Sequence, residues 1–362
     1  MSKKKITKKL MAGAMALTMA TAMVTTGFAP MGNVVAYAST QTNNTFDTAE
    51  ELQFNTTMTA EGLSRSDDVR YYKFTLDKAS ELSISISANC PSSKYFTIYD
   101  ENRTEVYQVH FKTENATDDG ICLTGGNYYL KLNVFDDKSL PFTVKKDSLM
   151  ESFKETQTAN NDSFDDADTI SLSKQYKGVI AENDTKDYFK FKVPATGKVH
   201  VNVTHAIAGV SIYNTSNKQV YSGNHQGNMV DEDVTLSAGT YYLVFTRSDY
   251  SYGYGTGSYS FKLDYTMSSP KISSLKNSGK KKMTVKWGKV DGAKGYELQY
   301  TKDKNFKSGI TKKTLKPSVR TVSYSKLAKG KTYYVRVRAY TKVNGKTKYS
   351  GWSGRKSVVI KK

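Results

Sequence analysis

Four side chains, Asn161, Asp162, Asp184 and Asp187, carry the sharpest chemistry in the sequence. Asn161 and Asp162 lie just ahead of a strand-like run, and Asp184 and Asp187 form an Asp-x-x-Asp-Tyr segment. Hard oxygen ligands gathered from two loops are what Ca²⁺ requires, and Glu155 and Glu182 stand near enough in sequence to assist. The plainer alternative is that Asx residues cap turns and the acids face solvent. A second candidate is the Gly-rich stretch 249–257, which carries Tyr250, Tyr252 and Tyr254. Tyr supplies rigid amphipathic contact area at low entropic cost; a purely connective loop is the plainer reading of this composition. A third is the run 333–340, where alternation sets Tyr334, Arg336, Arg338 and Tyr340 on one outward face. Aromatics interleaved with Arg stack on sugar rings or grip anionic polymers; the bland reading is a solvated, charged face.

The chain holds little material for catalysis. It has 4 His and 2 Cys. His110, His200, His205 and His225 show no metal spacing, and His200 and His205, five apart in a strand region, point oppositely. No Gly-x-Ser-x-Gly, His-Glu-x-x-His or phosphate loop occurs. The composition points away from an enzyme. Cys90 and Cys122 are the only thiols; they form either a disulfide, which an exporting compartment permits, or two buried free thiols.

These groups need elements to position them. The chain is 362 residues long, with 38% hydrophobic and 12% aromatic residues, enough for packed cores and long enough for two or three domains. Residues 1–38 read as a signal peptide: a head of Lys3, Lys4, Lys5, Lys8 and Lys9, an uncharged run from Leu10 to Ala29, then Ala36-Tyr37-Ala38 at a peptidase spacing. A retained anchor is the rival reading of that run. No second stretch of membrane length follows, so the expectation is a secreted monomer, held at the cell wall only without covalent help, with no membrane span after cleavage. Charge is segregated beyond the leader. Residues 39–269 carry 21 basic and 31 acidic residues, whereas 270–362 carry 27 basic and only three acidic ones, Asp291, Glu297 and Asp303. The break falls at Ser268-Ser269-Pro270, a linker-like stretch.

The acidic part repeats itself at about 115 residues. Asn43-Asn44-Thr45-Phe46-Asp47-Thr48-Ala49 returns as Asn161-Asp162-Ser163-Phe164-Asp165-Asp166-Ala167, and Tyr71-Tyr72-Lys73-Phe74 returns as Tyr188-Phe189-Lys190-Phe191. Leu123-Thr124-Gly125-Gly126-Asn127-Tyr128-Tyr129-Leu130 returns as Leu236-Ser237-Ala238-Gly239-Thr240-Tyr241-Tyr242-Leu243. Leu82, Ile84 and Ile86 in one copy and Val199, Val201 and Val203 in the other alternate with polar residues, the period of a half-buried strand. Each copy therefore reads as a β-sandwich.

The blocks Asn-x-x-Phe-x-x-Ala, Asp-x-x-Asp-Tyr-(Tyr/Phe)-x-Phe and Leu-x-x-Gly-(Thr/Asn)-Tyr-Tyr-Leu resemble the bacterial pre-peptidase C-terminal domain, a β-sandwich related to the collagen-binding domains of secreted bacterial collagenases. The resemblance spans about 43–146 and 160–266 and implies non-catalytic accessory modules. In the collagen-binding relatives, positions like Asn161, Asp162, Asp184 and Asp187 hold calcium. The first copy departs from that pattern: Asp162 becomes Asn44 and Asp187 becomes Arg70, while Asp67 persists.

In the basic module, Met283-Thr-Val285-Lys-Trp287 and Tyr296-Glu-Leu298-Gln-Tyr300 alternate, and Leu327 lies six residues ahead of Tyr333, as in a tyrosine corner. With the closing Ser350-Gly351-Trp352-Ser353, this resembles a fibronectin type III domain. The expectation is an all-β chain of three tandem sandwiches: a signal peptide (1–38), two jelly-roll-like repeats (39–149 and 150–268) and a fibronectin type III domain (269–362). Its expected work is binding. The basic module would hold anionic cell-wall or matrix polymer and the acidic sandwiches would present a ligand face to collagen-like matrix or extracellular glycan, with calcium in the second sandwich and no nucleic acid. The alternative is a non-catalytic targeting subunit of a secreted hydrolase system.

Overall fold

The computed structural model describes residues 43–63, 68–86, 93–112, 115–134, 139–153, 160–204, 209–223, 229–247, 256–343 and 345–361. Among them the regular structure is strand throughout, apart from one turn of 3₁₀ helix at Phe46–Thr48. The first copy contributes β1 (Glu50–Glu51), β2 (Thr57–Glu61), β3 (Val69–Leu76), β4 (Ser80–Ile86), β5 (Lys94–Asp100), β6 (Glu105–Phe111), β7 (Thr117–Leu123), β8 (Gly126–Val134) and β9 (Ser139–Ser148). The second contributes β10 (Asp168–Thr169), β11 (Gln175–Ile180), β12 (Lys186–Val193), β13 (Gly197–Thr204), β14 (Gly209–Asn214), β15 (Gln219–Ser222), β16 (Met229–Leu236), β17 (Gly239–Thr246) and β18 (Gly257–Met267).

The two copies share one topology. A five-stranded sheet runs β1-β3-β8-β5-β6 in the first and β10-β12-β17-β14-β15 in the second; a four-stranded sheet runs β2-β9-β4-β7 and β11-β18-β13-β16. In each, a two-residue strand pairs in parallel with the strand carrying the repeated Tyr motif, β1 with β3 and β10 with β12. The sequence alternation explains the layers. Leu82, Ile84 and Ile86, like Val199, Val201 and Val203, all point into the interior, as do Phe74, Leu130 and Phe142 in one copy and Phe191, Leu243 and Phe261 in the other.

The basic module folds from β19 (Ile272–Gly279), β20 (Lys282–Trp287), β21 (Gly295–Thr301), β22 (Thr311–Leu315), β23 (Thr321–Tyr324), β24 (Thr332–Val343), β25 (Lys346–Tyr349) and β26 (Lys356–Val359). They form a three-stranded sheet β19-β20-β23 and a sheet β22-β21-β24-β25 in which β26 also pairs with β24. Trp287 is buried as expected, and the Tyr333 hydroxyl accepts the Ala328 N–H at 3.0 Å, the tether that defines a tyrosine corner. The apolar core of the second copy is continuous with that of this module, whereas the first copy has a core of its own. Where the copies meet, Ala79, Cys122, Val179 and Ala181 form a small apolar patch, and Asn183 donates to Thr124 Oγ1 at 2.9 Å and to the Tyr128 hydroxyl at 3.0 Å.

Candidate functional site

The repeated Asn and Phe have structural roles in both copies. The Tyr71 N–H donates to the Asn43 carbonyl at 2.7 Å and the Tyr188 N–H to the Asn161 carbonyl at 3.0 Å, which pins the entering segment to the sheet. The Asn161 side chain reinforces this, its Oδ1 accepting the same Tyr188 N–H and its Nδ2 donating to Asp168. Phe46 then packs on Tyr71, Tyr99 and Tyr129, with ring centroids 4.5–5.2 Å away, and Phe164 on Tyr188, Tyr213 and Tyr242. The Asx residues at this position are thus part of a clamp shared by both copies.

What distinguishes the second copy lies one residue before the Tyr motif. Asp187, at the start of β12, is fully buried. Tyr259 on β18 reaches across and donates its hydroxyl to Asp187 Oδ2. Asp187 Oδ1 is buried with no hydrogen-bond partner, and so is Asp162 Oδ1. Burial first, then the neighbouring Asp184 charge, hold the Asp187 carboxyl well above the usual carboxylate range; the Tyr259 hydroxyl pulls the other way, and the charges of Asp162 and Glu151 add to the upward push. Three carboxylates, Glu151 from the segment joining the two copies, Asp162 and Asp184, thus push on the buried Asp187. Sequence reasoning brought Asp162, Asp184 and Asp187 together and missed Glu151.

Tyr259 fits because Gly178, its partner across β11 and β18, has no side chain: a Cβ there would stand 2.3 Å from the Tyr259 ring. The first copy has Ala60 paired with Leu140 at the matching register. It also has Arg70 where the second has Asp187, and the buried Arg70 guanidinium donates to the Gly62 carbonyl at 2.9 Å. The first copy thus carries a covalent cation where the second carries an uncompensated acid.

Oxygen donors alone, mostly anionic, without thiol or imidazole, suit a hard cation such as Ca²⁺. Among the described residues no three His, Cys, Asp or Glu side chains are drawn together closely enough to make a finished ligand set, so the fit rests on the buried carboxyl of Asp187 and the orphaned oxygens. Glu182 is engaged elsewhere, paired with Arg247 at 2.7 Å. Glu155, and Asp67 in the first copy, lie outside the described residues, as do Tyr250, Tyr252 and Tyr254, His205, His225 and Cys90. Cys122 is a buried free thiol, and burial pushes it up to about 11.

The outward strand of the basic module is built into an internal ladder. Arg336 lies over Phe306 and Trp352 at 4.2 and 4.1 Å, and Arg338 over Tyr349 and Trp352 at 3.9 and 4.4 Å. Arg336 donates to Gln299, and Arg338 to Glu297. Tyr334 stacks beneath Arg355, and Tyr340 packs against Tyr349 at 5.9 Å. The four residues share a face as alternation requires, but their polar groups and ring faces are largely occupied within the module. Trp352 and Phe306 come from loops and were not assigned this role by sequence. On the second copy, His200 is held between Asp231 at 2.8 Å and Asp233 at 3.2 Å, a surface ion network of the kind that contributes little.

Residues 268–353 match the family model of the Fibronectin type III domain, which agrees with the reading from Trp287, Tyr333 and Trp352. Over 235 residues the chain is 26% identical to Collagenase ColA of Clostridium perfringens (strain 13 / Type A), a match covering 60% of this chain and 21% of that protein. The chain thus spans about a fifth of the length of that relative. Among solved structures, the pre-peptidase C-terminal domain of collagenase from Bacillus anthracis matches with 21% identity and a TM-score of 0.25, covering 27% of this chain and 94% of that one. A structure titled "Myokine structure" matches with 14% identity and a TM-score of 0.22, covering 27% of this chain and all of that one.

Proposed function

We propose that this is an exported, non-catalytic binding protein of the cell surface or extracellular matrix. Its basic fibronectin type III module holds an anionic wall or matrix polymer, and its acidic sandwiches present a ligand face to collagen-like matrix or glycan. The observation that carries this reading is where the charge goes. Each of the module's three acids is engaged inside it: Asp291 with Lys289, Glu297 with Arg338 and Lys312, and Asp303 with the backbone N–H groups of Asn305, Lys307 and Ser308. The remaining cations stand uncompensated on one end of the chain, a field that attracts polyanions in a salt-dependent way. Among the described residues no helix is long and apolar enough to cross a membrane.

In the same reading, Asp162, Asp184, Asp187 and Glu151 hold calcium in the second sandwich. The ion would neutralise the buried acids and tie the Asp184 turn to the segment that joins the two copies; Arg70 makes the first copy independent of it. Likeness to a collagenase favours a second reading, in which the sandwiches carry a separate hydrolase to its substrate. The two differ in partner. Purified residues 39–362 that sediment with insoluble collagen fibrils in calcium, and are released by a chelator, support the first. A stoichiometric hydrolase co-purifying from the culture supernatant, with no fibril binding in its absence, supports the second.

A further inference from the structure

The two outward faces of the basic module differ. The face of β22-β21-β24-β25 holds the arginine ladder and the buried Glu297. The outward face of β19-β20-β23 carries neither arginine nor acid. Strand register places Lys276 opposite Thr284 and Thr284 opposite Ser323; the adjacent row runs Ser274, Lys286, Thr321. Lys282 extends the face at the other end of β20, where the turn adds Lys280 and Lys281. Lysines and hydroxyls therefore alternate along β20 and across the row Ser274, Lys286, Thr321. Lys276, Lys282, Lys286, Thr321 and Ser323 are exposed. Thr284 Oγ1 donates to Ser278 Oγ at 2.7 Å and lies 2.8 Å from Ser323 Oγ, so the hydroxyl row is internally ordered. Lys282 and Lys286 are about 13 Å apart along the strand, and neighbouring strands about 4.8 Å apart.

We propose that this face binds a linear phosphodiester polymer of the cell surface, its phosphates on Lys276, Lys282 and Lys286 and its polyol hydroxyls on Ser274, Thr321 and Ser323. The proposal rests on the basic module being the anchoring end and adds which face binds and which chemistry it takes. Lysine binds phosphate as a compact point charge, and lysines spaced along a strand suit separate monoanions met one at a time. An open sheet face suits an extended chain, and the hydroxyls beside the lysines match the polyol between the phosphates.

The test compares residues 39–362 with two triple variants that lose the same charge: Lys276→Ala/Lys282→Ala/Lys286→Ala on the face, and Lys302→Ala/Lys304→Ala/Lys307→Ala on the loop after β21. The probe is purified poly(glycerol phosphate), titrated at about 0.05 M and 0.3 M salt, with circular dichroism to verify that all three proteins are folded. The face variant should lose about tenfold or more in affinity and show a shallower salt dependence, while the loop variant stays within about threefold of the parent. Equal losses in both variants would overturn the assignment of the face while leaving the anchoring module intact. A parent protein that does not bind the polymer even at low salt, or that prefers heparin or duplex DNA at matched charge, would overturn the phosphodiester polymer, and the first of these results would overturn the anchoring reading as well.

Discussion

Gly178→Ala is the most revealing perturbation of the candidate cation site. The new methyl would lie 2.3 Å from Cζ and Oη of Tyr259, where carbon contacts need about 3.5–4.0 Å, so the ring must move by more than an ångström. It has nowhere easy to go, being 2% exposed and packed 4.1 Å from the Phe245 ring. Overpacking of this kind costs about 1–3 kcal/mol. The displaced hydroxyl also leaves the Asp187 carboxyl, which burial keeps neutral, and a hydrogen bond between neutral groups contributes about 0.5–1.5 kcal/mol. The expected loss is about 2–4 kcal/mol. Because the second copy shares its core with the basic module, the unfolding unit is near 200 residues, for which each kcal/mol lowers the Tm by about 2–4 °C; the calorimetric transition should fall by about 10 °C. Adding Tyr259→Leu installs the first copy's Ala60/Leu140 pair and should restore the packing part alone. Ala60→Gly in the first copy should cost about 1 kcal/mol, as loss of a methyl and gain of chain entropy. A Gly178→Ala protein melting within about 2 °C of the parent would refute the placement of Tyr259 over Asp187.

Asp187 keeps its proton in the folded state at pH values where the unfolded chain has released it, so stability without calcium should fall as pH rises from about 3.9 toward the folded value; Asp187→Asn should flatten that slope, and calcium at 100-fold over its Kd should add about 2.7 kcal/mol to the parent and nothing to the variant. Glu297 is pushed up by burial but drawn below the usual range overall by its bonds to Lys312 and Arg338. Its stabilisation is therefore present at neutral pH and lost in acid, and Arg338→Ala, which leaves it buried with an exposed lysine, should cost about 3 kcal/mol by urea denaturation. The Cys122 thiol, buried and pushed up to about 11, should react with a thiol reagent at pH 8 only after denaturant is added; prompt reaction in the native state would place it at the surface.

The fold was legible because period two is a strong signal. Leu82-x-Ile84-x-Ile86 and Val199-x-Val201-x-Val203 put one face of each strand in a core, and the repeated motif blocks required one topology twice. Trp287 and the Leu327–Tyr333 spacing did the same for the basic module. The candidate site was only partly legible. Asp162, Asp184 and Asp187 stand in motif context, but Tyr259 and Gly178 meet them through pairing of β11 with β18, which no local spacing encodes, and Glu151 arrives from the joining segment. Asn161 reads as a ligand in sequence, yet its carbonyl and side chain hold the Tyr188 N–H, and the Asn43 carbonyl holds the Tyr71 N–H in the same way. Alternation correctly put Arg336 and Arg338 on an outward face and could not foresee their engagement, since Trp352, Phe306 and Tyr349 reach them from other segments.

The central claim is that one chain has two binding ends of different chemistry, and a bridging assay addresses it directly. Collagen fibrils immobilised in calcium are offered wall fragments bearing poly(glycerol phosphate), with residues 39–362 or with an equimolar mixture of 39–266 and 270–362. The intact chain should retain the fragments on the fibrils at low salt and release them as salt rises, whereas the unlinked halves should retain none. Retention that is absent with the intact chain, or equal with the separated halves, would contradict the two-ended reading.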